Sequence, residues 1–161
     1  MDQTHIHLLI THLPIFGSIL GGLVLCHGLW TKSNQTKIAA YNVLIISSIG
    51  AIISHLSGEG AEETVEDIQG VSKNVIGQHE DFALFAIIAL SVLGVISIIG
   101  LYLTLKKSPL TRTIALITLF ISVISFGLVA RTGYLGGQIR HTELGADSPI
   151  KVGTSRESKH D

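Results

Sequence analysis

The sequence is poor in cysteine, proline and charged residues. Of its 161 residues, 1 is cysteine, 3 are proline, and charged residues make up 14%, against about a quarter in typical soluble domains. The lone Cys26 excludes an intramolecular disulfide, and its apolar surroundings indicate a small packing residue. A formal net charge of −1 excludes the strongly basic balance of nucleic-acid-binding domains.

Several catalytic and cofactor-attachment motifs are also missing from the sequence. It has no Ser/His/Asp spacing typical of nucleophilic hydrolases and no glycine-rich phosphate loop. It has no CxxCH motif for covalent haem attachment either. These absences identify no reaction, and quinol chemistry stays open, so the sequence does not decide whether the protein is an enzyme.

Long apolar runs are what the sequence has in excess, since 47% of its residues are hydrophobic. Each run is long enough, at about 1.5 Å per helical residue, to cross a hydrocarbon core of ~30 Å. The predicted spans cover residues of about 6–30, 38–56, 80–105 and 112–136. The sequence therefore predicts an all-α, integral membrane, up-down four-helix bundle over residues 1–145, followed by a polar flexible tail at 146–161.

Charge is distributed unequally between the two ends of this predicted bundle. The two short turns, residues 31–37 and 106–112, contain basic residues and no acidic residue. All 12 acidic residues fall on the opposite side. The positive-inside rule then predicts that these turns lie in the cytoplasm. Both termini and the connection between spans two and three face the periplasm or exterior.

Histidine is the compositional anomaly, with 8 residues in the chain. Most of them fall at the predicted outer ends of the spans: His5, His7, His12, His55, His79 and His141. Imidazole is costly inside a membrane unless it has a partner, and it is the commonest metal ligand in proteins. The set predicts a cofactor site near the outer face, with interfacial, headgroup-wetted histidines as the simpler alternative.

The leading hypothesis for this site is haem b in an electron-transfer role. Two histidines from facing helices would ligate the iron axially, as His12 with His79 or as His55 with His141. Arg131 lies near the outer boundary of span four and would then contact a haem propionate. The alternative for Arg131 is a side chain that snorkels toward the membrane surface.

A direct metal site is the second hypothesis, because mixed imidazole and carboxylate ligands suit Cu, Zn or Fe. The candidate ligands are His7, His12, His55, His79, His141, Glu59, Glu62 and Glu80, with Glu63 and Glu143 also near in sequence. In this alternative Arg131 would pair with a carboxylate.

The segment between spans two and three supports a third hypothesis. The sequence predicts a loop from Ser57 to Gln78, with a short surface helix inside it and Ser72 as the N-cap of the third helix. Its acidic residues could dock a basic partner, such as a soluble redox protein or a respiratory subunit. The chain would then be a non-catalytic membrane subunit. Its partners also include the lipid bilayer, and a homo-oligomer is left open.

Small residues recur at helical spacing on several spans, where they let helices approach closely in lipid. The pairs are Gly17 with Gly21, Ser18 with Gly22, and Gly133 with Gly137. The helical face below His79 is also mostly small, carrying Ala83, Ala86 and Gly94. This face suits either a close neighbouring helix or a flat, bulky ligand.

Two motifs, HLLITHLPI at residues 7–15 and TGYLGGQIRHTE at 132–143, resemble a bacterial membrane family catalogued as domain of unknown function 2231. The resemblance covers about residues 5–143 and implies a four-helix membrane protein. It is carried by His7, His12, Pro14, His79, Gly136, Gly137 and His141. The sequence departs from the family where Thr142 and Glu143 follow the last histidine, and GEGAEE is not general to the family. The family implies no assigned function.

Overall fold

A computed structural model of the chain describes residues 10–65 and 73–140, with side chains over 10–57 and 74–138. Within these ranges the chain is helical and contains no β-strand. The helices are α1 (His12–Trp30), α2 (Asn34–Val65), α3 (Lys73–Leu105) and α4 (Thr111–Arg140). All 4 are long and apolar enough to cross a membrane. The prediction of an all-α chain with four such helices is therefore confirmed for the described residues.

Each helix packs against the next in sequence, and α1 also packs against α4. Contacts between α1 and α2 show that these two helices run in opposite directions. Leu13 near the start of α1 lies against Gly50 of α2, whereas Gly28 near its end lies against Lys37. We call the end with the two short turns the lysine end, and the opposite end, with His12, the histidine end.

Small residues let α1 approach both of its neighbours, as predicted from the glycine spacing. A methyl group on Gly17 would lie 2.6 Å from Cβ of Ser47 on α2, and Gly21 is equally close to α2. A methyl group on Gly22 would lie 2.6 Å from Oγ of Ser122 on α4. Larger side chains at these positions would force the helices apart, so the small-residue faces of α1 are confirmed as packing surfaces.

The interior of the molecule combines alanine and leucine with buried hydroxyl groups. Serine and threonine side chains buried in it are Ser18, Ser47, Ser48, Ser57, Ser97, Thr104, Thr111, Thr118, Ser122 and Ser125. Two of their hydrogen bonds link α1 to a neighbouring helix. Oγ of Ser122 donates to the Ser18 carbonyl at 2.7 Å, and Oγ of Ser47 donates to the Pro14 carbonyl at 3.3 Å. Large hydrophobic side chains cover the outside instead, with Phe120 68% exposed.

The predicted loop is wrong where it begins, because helix α2 continues without a break from Asn34 to Val65. Helix α3 begins at Lys73, in agreement with the prediction that Ser72 precedes its first residue, although Ser72 itself lies outside the described residues. At about 1.5 Å per residue, the 32 residues of α2 extend ~48 Å, well beyond a hydrocarbon core of ~30 Å. The physical reason is that polar side chains end an apolar run without interrupting the backbone hydrogen bonds of the helix.

The two turns at the lysine end have the same backbone design. Lys32 and Lys107 follow α1 and α3, and each has a φ of 54°, in the left-handed region. The amides of the next residues, Ser33 and Ser108, donate to carbonyls five positions earlier, each at 3.0 Å. This is the Schellman arrangement, in which glycine usually occupies the left-handed position. Lysine at both positions therefore carries a conformational cost.

Candidate functional site

His79 is the best-anchored histidine among the described side chains. It is half-buried on α3, and its Nδ1 lies 3.0 Å from the backbone carbonyl of Thr132 on α4. A carbonyl oxygen can only accept, so Nδ1 carries the proton in this contact. In the neutral ring, Nε2 then carries the lone pair. The contact fixes both the tautomer and the direction of the imidazole.

Glycines of α4 make room for this imidazole and for α1. A methyl group on Gly136 would lie 3.3 Å from Cε1 of His79, and one on Gly133 would lie 2.9 Å from Cδ1 of Ile15. A methyl group on Gly137 would meet no atom within 4 Å in the part of the chain that the structure describes. The close contacts of this segment are therefore made by Gly133 and Gly136, rather than by the predicted pair of Gly133 and Gly137.

His12 and His55 occupy different surroundings from His79. His12 begins α1, is exposed, and stacks on Phe16 of its own helix with ring centroids 6.4 Å apart. His55 is half-buried on α2. Within the described residues, no group of three or more His, Cys, Asp or Glu side chains is arranged to hold a metal ion. The hypothesis that these histidines share one cofactor stays a prediction.

The carboxylate candidates are only partly described. Glu80 is exposed and follows His79 directly on α3. Glu59, Glu62 and Glu63 lie on the continuous helix α2, but their side chains fall outside the described ranges. Other predicted features lie wholly outside the described residues: His5, His7, His141, Glu143 and the tail at 146–161.

Arg131 is exposed on α4, and two aromatic rings flank its guanidinium. The guanidinium carbon lies 5.7 Å from the ring centroid of Phe82 on α3 and 5.4 Å from that of Tyr134 on α4. Both distances are within the range of cation–π attraction. Neither aromatic partner was predicted from the sequence. The Arg-x-x-Tyr spacing does indicate one of them, because residues three apart on a helix are neighbours.

The small-residue face below His79 packs against protein. Ala86 and Leu90 are buried, and a methyl group on Gly94 would lie 2.8 Å from Cβ of Ser48 on α2. Between the two alternatives for this face, the close neighbouring helix is confirmed at Gly94. A flat ligand bound by His79 would have to lie nearer the histidine end.

No family model, curated protein or solved structure matches this chain. The resemblance to the bacterial membrane family therefore stays a prediction that rests on its two sequence motifs.

Proposed function

We propose that the chain is an integral protein of a bacterial inner membrane, an up-down bundle of four spans. Its lysine end faces the cytoplasm and its histidine end faces outward. The apolar exterior supports burial in lipid. Exposed Trp30 and Tyr102 lie near the lysine end, and Lys106 lies 5.8 Å from the Tyr102 ring centroid. Aromatic and basic residues of this kind are typical of a membrane interface.

Cysteine labelling in intact cells tests this orientation. The single native cysteine is replaced in Cys26→Ala, and a new one is introduced as Gln78→Cys or Asn34→Cys, both at exposed positions. A membrane-impermeant maleimide should label Gln78→Cys in cells whose outer membrane has been permeabilised. Asn34→Cys should react only after the inner membrane is broken. The reverse pattern would contradict the orientation.

The function we propose is a membrane redox subunit that holds haem b at its histidine end for electron transfer, with His79 as an axial ligand. The observation that carries the proposal is the hydrogen bond from Nδ1 of His79 to the Thr132 carbonyl. Histidine ligands of metals almost always donate their second ring N–H to a carbonyl or carboxylate, which orients the ring and raises its basicity.

The residues around His79 fit this role in two respects. Nε2 carries the lone pair that iron needs, and the close approach of Gly136 limits rotation of the ring. His12, His55 and His141 are the candidates for the second axial ligand. A bound haem would supply a one-electron couple, while the chain would hold the imidazole and restrict access of water to it.

Two alternatives each have one observation in their favour. A direct Cu, Zn or Fe site would use the same oriented Nε2 of His79 with ligands from neighbouring helices, because Glu80 is the next residue on α3 and projects from a different face. A docking role would use the part of α2 that follows the apolar run, where the helix continues past Glu59, Glu62 and Glu63 to Val65. Metal bound without visible absorbance would favour the first. Partner capture that weakens when Glu62 and Glu63 are neutralised would favour the second.

Matched histidine variants test the haem ligand. His79→Asn can keep a side-chain N–H near the Thr132 carbonyl but has no Nε2, so we expect it to fold and to lose haem. His27→Ala is the control, because His27 is exposed on α1 near the lysine end, far from His79. It should retain wild-type haem content. Equal haem content in wild type and His79→Asn would refute His79 as the ligand.

A further inference from the structure

The exposed side of α4 near the histidine end presents a cation in an unusual setting. Phe82 and Tyr134 lie beside the guanidinium of Arg131 at 5.7 Å and 5.4 Å, so rings rather than a carboxylate are the contacts that orient it. Ring faces attract the cation but leave its N–H groups at the edge of the guanidinium plane. An anion with several oxygens can accept hydrogen bonds from that edge.

The height of Arg131 along α4 indicates where this anion would come from. Arg131 lies 20 positions after Thr111, the first residue of α4. At about 1.5 Å per residue, that spacing corresponds to ~30 Å, the thickness of a hydrocarbon core. If the lysine-end turn lies at one edge of this core, Arg131 lies at the other edge, and its long side chain extends outward to the phosphates.

On the side of Arg131 toward the lysine end, the same face of α4 has a gap between its side chains, which we call the notch. Gly127 lies four residues earlier, on the same helical face, and it is exposed. A methyl group added to Gly127 would meet no atom of the described residues within 4 Å. Val123, a further turn toward the lysine end, is 59% exposed and limits the notch from below. The notch is apolar, and a cation stands at its outer end.

We propose that this surface is a binding site for a glycerophospholipid, with the phosphate on Arg131 and an acyl chain across Gly127. The inference rests on the membrane placement proposed above and is independent of the haem. Arginine is suited to the role because its planar guanidinium stacks on aromatic rings while donating two hydrogen bonds to a phosphate. The cation and the notch match the two chemically distinct parts of one lipid.

The test uses the full-length protein, purified in a non-ionic detergent and delipidated. Three probes separate the sources of binding: dioleoyl phosphatidylglycerol, a dioleoyl galactosyl glycerol that lacks phosphate, and inorganic phosphate. Native mass spectrometry measures retained lipid, and the thermal unfolding midpoint measures stabilisation. We expect phosphatidylglycerol to be retained and to raise the midpoint, and the other two probes to do neither.

Two variants separate the charge from the shape of the site. Arg131→Gln removes the cation, and we expect phosphatidylglycerol affinity to fall about tenfold or more, the effect of one charged hydrogen bond. Gly127→Leu fills the notch and leaves the charge in place. It should weaken binding of the same lipid while raising the midpoint of the lipid-free protein, because leucine favours a helix more than glycine does.

Ile46→Ala is the control, because Ile46 is 54% exposed and lies on α2, away from Arg131 and Gly127, and it should keep wild-type lipid affinity. Equal phosphatidylglycerol affinity in wild type and Arg131→Gln would overturn the proposal and leave Arg131 as a snorkelling side chain. Loss of haem absorbance in Arg131→Gln with unchanged lipid binding would overturn it in favour of a propionate contact. Loss of phosphatidylglycerol binding in Arg131→Gln with unchanged haem content would support the lipid site, independently of the role of His79.

Discussion

Nδ1 of His79 lies 3.0 Å from the carbonyl oxygen of Thr132, although the two residues are 53 positions apart in the chain. The bond joins α3 to α4 at the histidine end, and its acceptor is a backbone carbonyl of α4. Such a bond fixes the imidazole more firmly than apolar packing would, because it specifies both a direction and a tautomer. A histidine that ligates a metal needs its ring held in one direction and one tautomer, whereas a histidine that only packs does not.

Gly136→Ala should disturb this imidazole, and Gly137→Ala should not. A methyl group on Gly136 would lie 3.3 Å from Cε1 of His79, but one on Gly137 would meet none of the described residues within 4 Å. Both variants gain up to about 1 kcal/mol of helix propensity, so they differ mainly in this contact. We expect lower haem content in Gly136→Ala alone, measured against protein concentration. Equal haem content in the two variants would show that the imidazole has room to shift.

Ser122→Ala and Ser125→Ala should change stability in opposite directions. Ser122 donates a 2.7 Å hydrogen bond to the Ser18 carbonyl on α1, and its loss should cost about 1 kcal/mol. Oγ of Ser125 is buried and has no hydrogen-bond partner among the described residues, so its removal should stabilise the protein by up to about 1 kcal/mol. Thermal unfolding in detergent, followed by circular dichroism, gives both values. Destabilisation by Ser125→Ala would indicate that its hydroxyl is satisfied, for example by water.

Gly100→Ala should be strongly destabilising, because α2 and α3 meet at that glycine. A methyl group there would lie 2.5 Å from Cε1 of Tyr41, whose ring is fully buried. Overpacking of this kind typically costs about 1–3 kcal/mol. The methyl group of Gly77→Ala, on the same helix, meets no described atom within 4 Å, so this variant should stabilise the protein instead. If Gly100→Ala left the stability unchanged, the two helices would be able to separate slightly without a cost in free energy.

Lys32→Gly and Lys107→Gly should each stabilise the fold by about 1 kcal/mol. Both lysines have a φ of 54°, which costs roughly that much for a residue with a side chain and nothing for glycine. Lys106→Gly is the control, since its amide makes a helical hydrogen bond to the Tyr102 carbonyl at 3.0 Å. That substitution should destabilise slightly. If all three substitutions destabilise, charge or lipid contacts of the lysines outweigh the backbone cost.

Lysine at these two turns is consistent with the proposed topology, in which positive charge is needed on the cytoplasmic side. Glycine would suit the backbone better but would carry no charge. The stabilised variants should therefore insert with a mixed orientation more often than wild type, as measured by the maleimide labelling described above. Uniform orientation in the double variant would show that the remaining basic residues are sufficient.

The helices and the close approach of α1 to its neighbours could be predicted from the sequence because both depend on local pattern. Long apolar runs predict spans, and Gly17, Gly21 and Gly22 predict small-residue faces without knowledge of the partner helix. The extent of α2 beyond Ser57 could not be predicted from hydropathy, since a helix that leaves lipid loses its apolar signal but keeps its backbone hydrogen bonds.

The anchoring of His79 could not be predicted, because every residue has a carbonyl and nothing in the sequence marks that of Thr132 as the acceptor. The choice of Gly136 over Gly137 depends on the rotation of α4 about its axis, which the glycine spacing leaves undetermined. The aromatic partners of Arg131 come from two helices, so only the one on its own helix had a local signal.

An optical spectrum of the wild-type protein in mild detergent, recorded oxidised and then reduced with dithionite, tests the central claim most directly. Iron is measured on the same sample. The account predicts a Soret band that shifts on reduction, with iron close to one atom per chain. A featureless spectrum that stays featureless after haem is added, in protein that remains folded, would contradict the haem proposal.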